Sequence, residues 1–157
     1  MGQCNGASRL SSIKSQVILT QTDTTVGFVS QDKERLNQVK SRPSNKHFLR
    51  TFVDLKTLKN NHIRIPNSKK KLLRRAKKTT FIVNNKAFRV ASFPLHSQVL
   101  RNLVWSYSTS ANKSGHNFER EYCNTKADII IEDKNGLFES QASRLLKINN
   151  KTIKRLR

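Results

Sequence analysis

The chain has 157 residues, of which 35% are hydrophobic, and it carries 31 Lys and Arg against 10 Asp and Glu, which gives a net charge of +21. This length suits one domain spanning residues 1–157, and the clustering of the hydrophobic residues in short runs excludes a disordered chain. The charge predicts a polyanionic partner or an anionic substrate, although a basic surface that meets only solvent is the open alternative.

Residues 1–16, the least determined segment, have no continuous apolar core, and no later stretch approaches about 18 apolar residues. We therefore expect neither secretion nor a membrane span. Cys4 and Cys123 lie far apart without metal-ligand spacing around them, so that neither a zinc site nor a disulfide framework is expected, and a cytoplasmic location fits. The histidines show no spacing for catalysis or metal and are expected on the surface or in loops: His47, His62, His96 and His116.

The predicted elements of the first half alternate between short apolar strands and helices. Strands are expected at 17–20, 26–29 and 48–55. A helix at 32–40 begins with acidic side chains and should end before Pro43. Asp54 can cap a further short helix at 55–58.

The middle of the chain is a basic segment in which seven cationic residues surround only Leu72 and Leu73. A helix there would be exposed to solvent on most of its circumference and would form a basic ridge. Strands at 79–83 and 87–90 follow, joined by a turn at 84–85, then a helix at 94–104 and a polar loop at 113–127. The last strands are expected at 129–131, 143–148 and 153–156, and this alternation without a repeat favours an α/β layer fold.

A polar stretch follows the helix at 94–104, where a buried strand should open into a loop. Five hydroxyl or amide side chains lie within seven residues: Ser108, Thr109, Ser110, Asn112 and Ser114. Such short donors and acceptors hold a polar ligand without filling the space it needs. An ordinary Ser/Asn turn ended by Gly115 is the alternative.

This stretch reads STSANKSG and resembles the STSANxSG signature of the YrdC/YciO family of threonylcarbamoyl-adenylate synthases. Other stretches resemble the family's motifs in the same order: residues 22–27 its PT[DE]TxYG loop, 40–43 its KxRP, 88–90 its AVRxP, 143–146 its STIV-type strand and 153–155 its closing segment. The resemblance covers roughly residues 17–157. The chain departs from it at Gln21, Val26 and 76–78, where the family has Pro, an aromatic residue and Pro-Gly-Pro.

The resemblance implies a three-layer α/β YrdC-like domain, with a twisted mixed β-sheet flanked by helices and a basic concave face. It implies an L-threonylcarbamoyladenylate synthase, a nucleotidyltransferase that joins L-threonine, bicarbonate and ATP into threonylcarbamoyl-AMP and pyrophosphate. The product would serve threonylcarbamoyladenosine modification of tRNA position 37, with tRNA threonylcarbamoyl transfer proteins as partners. Mg²⁺ would arrive with ATP, without dedicated metal ligands.

Two alternatives remain beside this function. One is a non-catalytic YrdC-like protein that binds tRNA or double-stranded RNA in translation or ribosome assembly. The other is a carbamoyl-adenylate enzyme of related fold, as in hydrogenase maturation. The departures from the family motifs keep the non-catalytic alternative open.

The resemblance also assigns residues. Lys40 and Arg42 would be the catalytic cations, since residues at i and i+2 of an extended segment point the same way, one as a point charge and one as a planar fork. ATP would be bound by Lys40, Arg42, Ser110, Asn112 and Arg155, and L-threonine by Thr22, Arg89, Ser108 and Ser143. Beside these, the excess charge predicts RNA binding by the ridge residues Lys69, Lys70, Lys71, Arg74 and Arg75.

Overall fold

A computed structural model describes residues 13–41 and 47–157 of the chain, so that Arg42 and Pro43 lie outside the described residues. The strands of the described part are β1 (Ile18–Gln21), β2 (Val26–Ser30), β3 (Leu49–Phe52), β4 (Thr79–Val83), β5 (Lys86–Val90), β6 (Trp105–Ser110), β7 (Ile129–Ile131), β8 (Arg144–Ile148) and β9 (Ile153–Arg155). The helices are α1 (Lys33–Lys40), α2 (Leu55–Asn60), α3 (Lys70–Arg75), α4 (Pro94–Leu103) and α5 (Arg120–Lys126), and a 3₁₀ turn at Asn67–Lys69 leads into α3. In these residues, no helix has both the length and the apolar character to cross a membrane.

All nine strands of the described part form one mixed sheet in the order β7-β1-β2-β6-β3-β5-β4-β8-β9. The pairs β1–β7, β3–β5 and β4–β8 are parallel, and the other neighbours are antiparallel. The predicted mixed sheet is therefore confirmed. Its centre is β6 and β3, and the polar stretch at 108–110 of β6 lies beside β2 and β3.

Helices pack on both faces of the sheet. Leu19 lies in one hydrophobic cluster with Leu36 of α1 and Cys123 of α5, whereas Ile18 lies in another with Leu100 of α4. Because successive strand residues point to opposite faces, α1 and α5 cover one face and α4 the other. This arrangement confirms the expected three layers.

The coverage of the two faces is unequal. Helices α2 and α3 pack through Leu58 and Leu73 against Phe52 and Phe88, on the same face as α1. On the opposite face, α4 packs over β1 and β2. The part of that face formed by β3, β5 and β4 is therefore left without a helix from the described residues, and the candidate site lies there.

Short polar side chains fix the ends of several elements. The side chain of Asp54 accepts hydrogen bonds from the N–H and the hydroxyl of Thr57, which confirms the predicted cap of α2. The turn between β4 and β5 uses Asn84 and Asn85 at φ 48° and 60°, a left-handed conformation that Asn tolerates well. The predicted hairpin is thereby confirmed.

The loop predicted at 113–127 is wrong for residues 120–126, which form α5. Only Cys123 of this helix is fully buried, and Tyr122 packs on the same cluster from a partly buried position. A seven-residue helix that buries so little has almost no apolar periodicity to detect. Its stability comes from tertiary packing, which the local sequence does not encode.

Candidate functional site

A cavity of about 320 Å³ opens on the sheet face that α4 leaves uncovered. Two guanidinium groups line it, those of Arg89 and Arg157, and no carboxylate from the described residues does. Its remaining polar lining is mostly hydroxyl groups, from Thr22, Thr24, Thr25, Thr80, Ser108, Thr109, Ser110 and Ser143. A positive cavity rich in hydroxyl groups suits a small anionic ligand that also carries hydrogen-bonding groups.

Arg89 lies on β5 and is 5% exposed. Its Nη1 donates to Oγ1 of Thr24 at 3.0 Å and its Nη2 to Oγ1 of Thr80 at 2.9 Å, while Nε is buried without a hydrogen-bond partner among the described residues. Burial lowers the pKa of Arg89, and the charge of Asp23 offsets part of that effect. None of the ion pairs between described residues includes Arg89. Arg89 is therefore a buried cation without a close counter-ion from residues 13–41 and 47–157, which is costly unless an anionic ligand binds it.

Hydroxyl groups tie Arg89 to the strands beside it. The Oγ atoms of Thr80 on β4 and Ser143, just before β8, lie 2.9 Å apart. Arg157 donates from Nε to the carbonyl of Ser143 at 3.1 Å. The charge of Arg157 contributes to the lowered pKa of Arg89, so that two cations share this wall of the cavity.

The loop between β1 and β2 forms another wall of the cavity. Thr22 donates from Oγ1 to the carbonyl of Thr25 at 2.6 Å, which closes the loop on itself. Gly27 lies where a Cβ would be 2.9 Å from both the carbonyl oxygen of Thr109 and Cγ2 of Thr22. Only a residue without a side chain lets this loop lie so close to β6.

Asp23 fastens the same loop to the start of α4. Its carboxylate accepts hydrogen bonds from the N–H of Ser92 at 2.9 Å and of Phe93 at 2.8 Å, and Nδ1 of His96 lies 3.4 Å from it. Burial acts to raise the pKa of Asp23, but His96 and the two N–H groups outweigh it and hold the pKa below its ordinary value. The expectation that His96 lies on the surface or in a loop is wrong, because it is fully buried in α4.

Three of the predicted ATP-binding residues meet at the end of β6. Lys40, the last residue of α1, donates from Nζ to the carbonyls of Ser110 at 2.9 Å and Asn112 at 2.6 Å, and to Oδ1 of Asn112 at 2.8 Å. Oδ1 of Asn112 also accepts from Oγ of Ser110 at 2.7 Å. Lys40 thus holds the turn that presents Ser110 to the cavity, and a direct ATP contact by Lys40 stays a prediction.

Searches by sequence find no relative: no protein-family profile matches the chain, and no curated protein does. Solved structures do match. Sua5 from P. abyssi, complexed with L-threonine, superposes with a TM-score of 0.77 over 96% of this chain and 52% of that chain, at 16% identity. YciO from E. coli superposes with a TM-score of 0.76 over 96% of this chain and 86% of that one, at 19% identity. The chain has the YrdC-like fold.

The YrdC-like fold also occurs in a third match, HypF in its phosphate- and nucleotide-bound form, with a TM-score of 0.74 and 14% identity. This match covers 96% of the present chain and 28% of HypF. The chain spans about half the length of Sua5.

Within the YrdC-like fold, the four predicted threonine-binding residues all line the cavity: Thr22, Arg89, Ser108 and Ser143. Ser110 of the ATP set lines it as well. Arg155 lies exposed on β9 and does not line it, whereas Arg157 does. Arg42 lies outside the described residues.

Several lining residues had no role predicted from the sequence, among them Thr24, Thr80 and Arg157, which make hydrogen bonds at the cavity. Thr80 faces Arg89 only because of the register between β4 and β5, which no local motif reveals. The only sequence feature that could have indicated Arg157 is its position as a cation just after the last predicted strand. In the described residues, no group of three or more His, Cys, Asp or Glu side chains is placed to hold a metal ion.

The basic ridge is formed by the 3₁₀ turn and α3. Lys70, Lys71, Arg74 and Arg75 are exposed, Lys69 is half-buried, and Leu73 points into the core. The predicted solvent-exposed helix is confirmed. RNA contact by it stays a prediction.

Proposed function

We propose that the chain is a YrdC-family enzyme that joins L-threonine, bicarbonate and ATP into threonylcarbamoyl-AMP and pyrophosphate. The observation that carries this proposal is the buried Arg89, which has no close carboxylate among the described residues and lies in a cavity lined by hydroxyl groups. A guanidinium in such a setting fits the carboxylate of an amino acid. The product would be passed to tRNA threonylcarbamoyl transfer proteins for modification of tRNA position 37.

The amino acid would bind between the two walls of the cavity. Its carboxylate would lie on Arg89, and its hydroxyl and amino groups would meet Thr22, Ser108 and Ser143. The L-threonine complex of Sua5, which has the same fold, supports this assignment. The cavity has room for the threonine side chain and for the carboxyl group that bicarbonate adds.

The nucleotide would bind beside it, at the turn formed by Ser110 and Asn112. In the reaction, the amine of threonine would first bond to the carbon of bicarbonate with loss of water. An oxygen of the resulting carbamate would then attack the α-phosphorus of ATP, and pyrophosphate would leave with the bonding electrons. Bringing two anions together requires fixed positive charge and orientation more than acid–base chemistry. Arg89 and Arg157 supply such charge, and Lys40 keeps the turn in place. The nucleotide-bound HypF structure supports a nucleotide in this fold.

Mg²⁺ would come with the triphosphate. The described residues offer hydroxyl groups and no carboxylate cage at the cavity, which fits an ion held by phosphate oxygens and water. When bound, it would neutralise charge on the phosphates.

Pyrophosphate release tests the proposal. We expect release from ATP to require both L-threonine and bicarbonate. Arg89→Gln should raise the KM for threonine by about tenfold or more, because a charge-assisted pair worth roughly 1.5–3 kcal/mol is lost. Arg101→Gln, an exposed change on α4, is the matched control and should leave the rate unchanged. Release that ignores threonine, or an Arg89→Gln enzyme equal to wild type, would contradict the proposal.

The second candidate is a non-catalytic protein that binds tRNA or double-stranded RNA. The observation that favours it is the ridge, which exposes four cations on one short helix. Tight RNA binding by a wild-type protein that never releases pyrophosphate would support this candidate over the enzyme.

A further inference from the structure

A second cavity, of about 260 Å³, lies on the opposite face of the sheet. It is lined by Arg50 of β3 and Tyr107 of β6, which pair across the two strands. Their chain neighbours Thr51 and Ser108 point to the other face, where the first cavity opens. Nothing in the proposed threonine and ATP chemistry uses this second cavity.

The guanidinium of Arg50 is partly removed from water at this cavity, which costs free energy. Its Nη2 donates to Oδ1 of Asn61 at 2.8 Å, and its guanidinium carbon lies 4.6 Å from the ring centre of Trp105 and 5.1 Å from that of Phe52. Its Nε is buried without a hydrogen-bond partner among the described residues, and no ion pair of those residues includes it. Burial lowers the pKa of Arg50. A half-buried cation with an unused donor is a feature of binding sites more than of structural ones.

The remaining lining has the same character. Lys33 of α1, His47 and Lys86 of β5 bring further basic groups from separate segments, and no carboxylate of the described residues lines the cavity. Phe48 and Tyr107 form an aromatic wall, with ring centres 6.3 Å apart. Cations that converge beside aromatic rings provide contacts for a phosphate and for the flat ring attached to it.

We propose that this second cavity binds a nucleoside phosphate, supplied by one nucleotide of a single-stranded RNA. The phosphate lies among Lys33, Arg50 and Lys86, and the base lies against Tyr107. A volume of about 260 Å³ has room for about one nucleotide unit. A net charge of +21 favours an RNA strand over a free nucleotide as the source.

Trp105 makes the proposal directly testable, because it is the only tryptophan of the chain and its ring contacts Arg50. Its fluorescence would be titrated with a five-nucleotide single-stranded RNA, with AMP and with inorganic phosphate. We expect a saturable change with the RNA. The double variant Lys33→Gln and Lys86→Gln should weaken this binding about tenfold, since two charge-assisted phosphate contacts are removed. A double variant of matched charge at exposed positions, Lys113→Gln and Lys134→Gln, should bind within about twofold of wild type.

The three ligands of this titration distinguish a free nucleotide from an RNA strand as the source of the nucleoside phosphate. Saturation by AMP, with the same loss of affinity in the Lys33/Lys86 variant, would assign the site to a free nucleotide. Saturation by RNA alone would assign it to an RNA strand. Both results support a nucleoside-phosphate site. No saturable change, equal weakening in the two double variants, or binding by phosphate alone as tight as by RNA would overturn the proposal. Arg50→Lys, which keeps the charge, should lower RNA affinity as well. Pyrophosphate release should be unchanged in the Lys33/Lys86 variant, which keeps this test separate from the proposed enzyme.

Discussion

Gly27 shows at the scale of one residue how closely the walls of the first cavity approach each other. A Cβ at this position would lie 2.9 Å from a backbone oxygen of β6 and 2.9 Å from the methyl carbon of Thr22. The backbone oxygen cannot swing aside as the end of a flexible side chain could. The loop that carries Thr22 must therefore move if the residue gains a side chain.

We expect Gly27→Ala to lower the free energy of unfolding by about 1–3 kcal/mol, the usual cost of forcing an extra carbon into a packed site. It should also raise the KM for threonine, because Thr22 is displaced. Thermal unfolding followed by circular dichroism and pyrophosphate kinetics measure the two effects. Gly136→Asn is the comparison, since a Cβ there would meet no atom within 4 Å and Asn tolerates its φ of 69° better than most side chains. We expect it to lose less stability than Gly27→Ala. A Gly27→Ala protein as stable as wild type would refute the close packing.

The sequence could predict a site residue where that residue lies in a continuous motif. Thr22, Arg89, Ser108 and Ser143 belong to strings that resemble family motifs, and all four line the cavity. Thr80 depends on strand register instead. Its contacts with Arg89 and Ser143 join residues 9 and 63 positions away, and no local pattern records such a pairing.

At the scale of elements, Asp23 connects the loop between β1 and β2 to the start of α4. Its carboxylate accepts the N–H groups of Ser92 and Phe93 just before the first turn of that helix. The loop and the helix are far apart in the chain, so that one side chain fixes the position of the cavity wall. An ionised carboxylate makes these hydrogen bonds stronger than a neutral group would.

This connection should depend on pH in a defined direction. Although burial acts to raise it, the pKa of Asp23 in the folded protein is held below its ordinary value of 3.8 by His96 and the backbone N–H groups. A depressed pKa gives stability that is fully present above the unfolded value, and that is lost as the pH falls below about 3.8 toward the folded value. We expect Asp23→Asn to be less stable than wild type at pH 7, and this difference to shrink as the pH falls below about 4. Urea unfolding at pH 7, 4 and 3 measures it, and a constant difference would argue against the assignment.

The elements differ in how far sequence could predict them. The strands at 18–21 and 79–83 are short apolar runs between polar residues, and their predicted bounds are within one residue of the structure. The strand predicted at 48–55 is shorter, because Asp54 already caps α2. Helix α5 was missed since it packs through one fully buried residue, which leaves no amphipathic pattern.

Over the whole molecule, positive charge exceeds what one nucleotide requires. The ridge at 69–75 carries five of these charges and leads through Lys77 and Lys78 into β4, whose Thr80 lines the first cavity. Because α3 packs on the sheet face opposite the first cavity, an RNA held on the ridge would not enter that cavity. Because the ridge has no aromatic residue, contact there would be with the phosphate backbone.

We expect tRNA affinity to fall steeply with salt, by about 0.7–0.9 in log–log slope for each phosphate contact. Replacing four ridge cations with Gln should reduce this slope by up to about 3.6 and leave threonine-dependent pyrophosphate release intact. The variant carries Lys70→Gln, Lys71→Gln, Arg74→Gln and Arg75→Gln. Filter binding across a salt series measures the slope. The control variant removes the same number of charges elsewhere, at Arg101, Lys113, Lys126 and Lys134. An equal loss of slope in both variants would show that the ridge does not contact tRNA more than other basic residues do.

The order of strands in the sheet also decides when the cavity can form during folding. β1 pairs with β7 and β4 with β8, so that each half of the sheet is completed by a strand from the last third of the chain. Ser143 and Arg157 reach the cavity only with that last third. Parallel pairings across so many residues carry a high loop-closure cost and form slowly. On a ribosome, a nascent chain that ends before residue 129 would expose β1 and β4 as open edges, and its cavity would lack one wall until residues 143–157 had emerged.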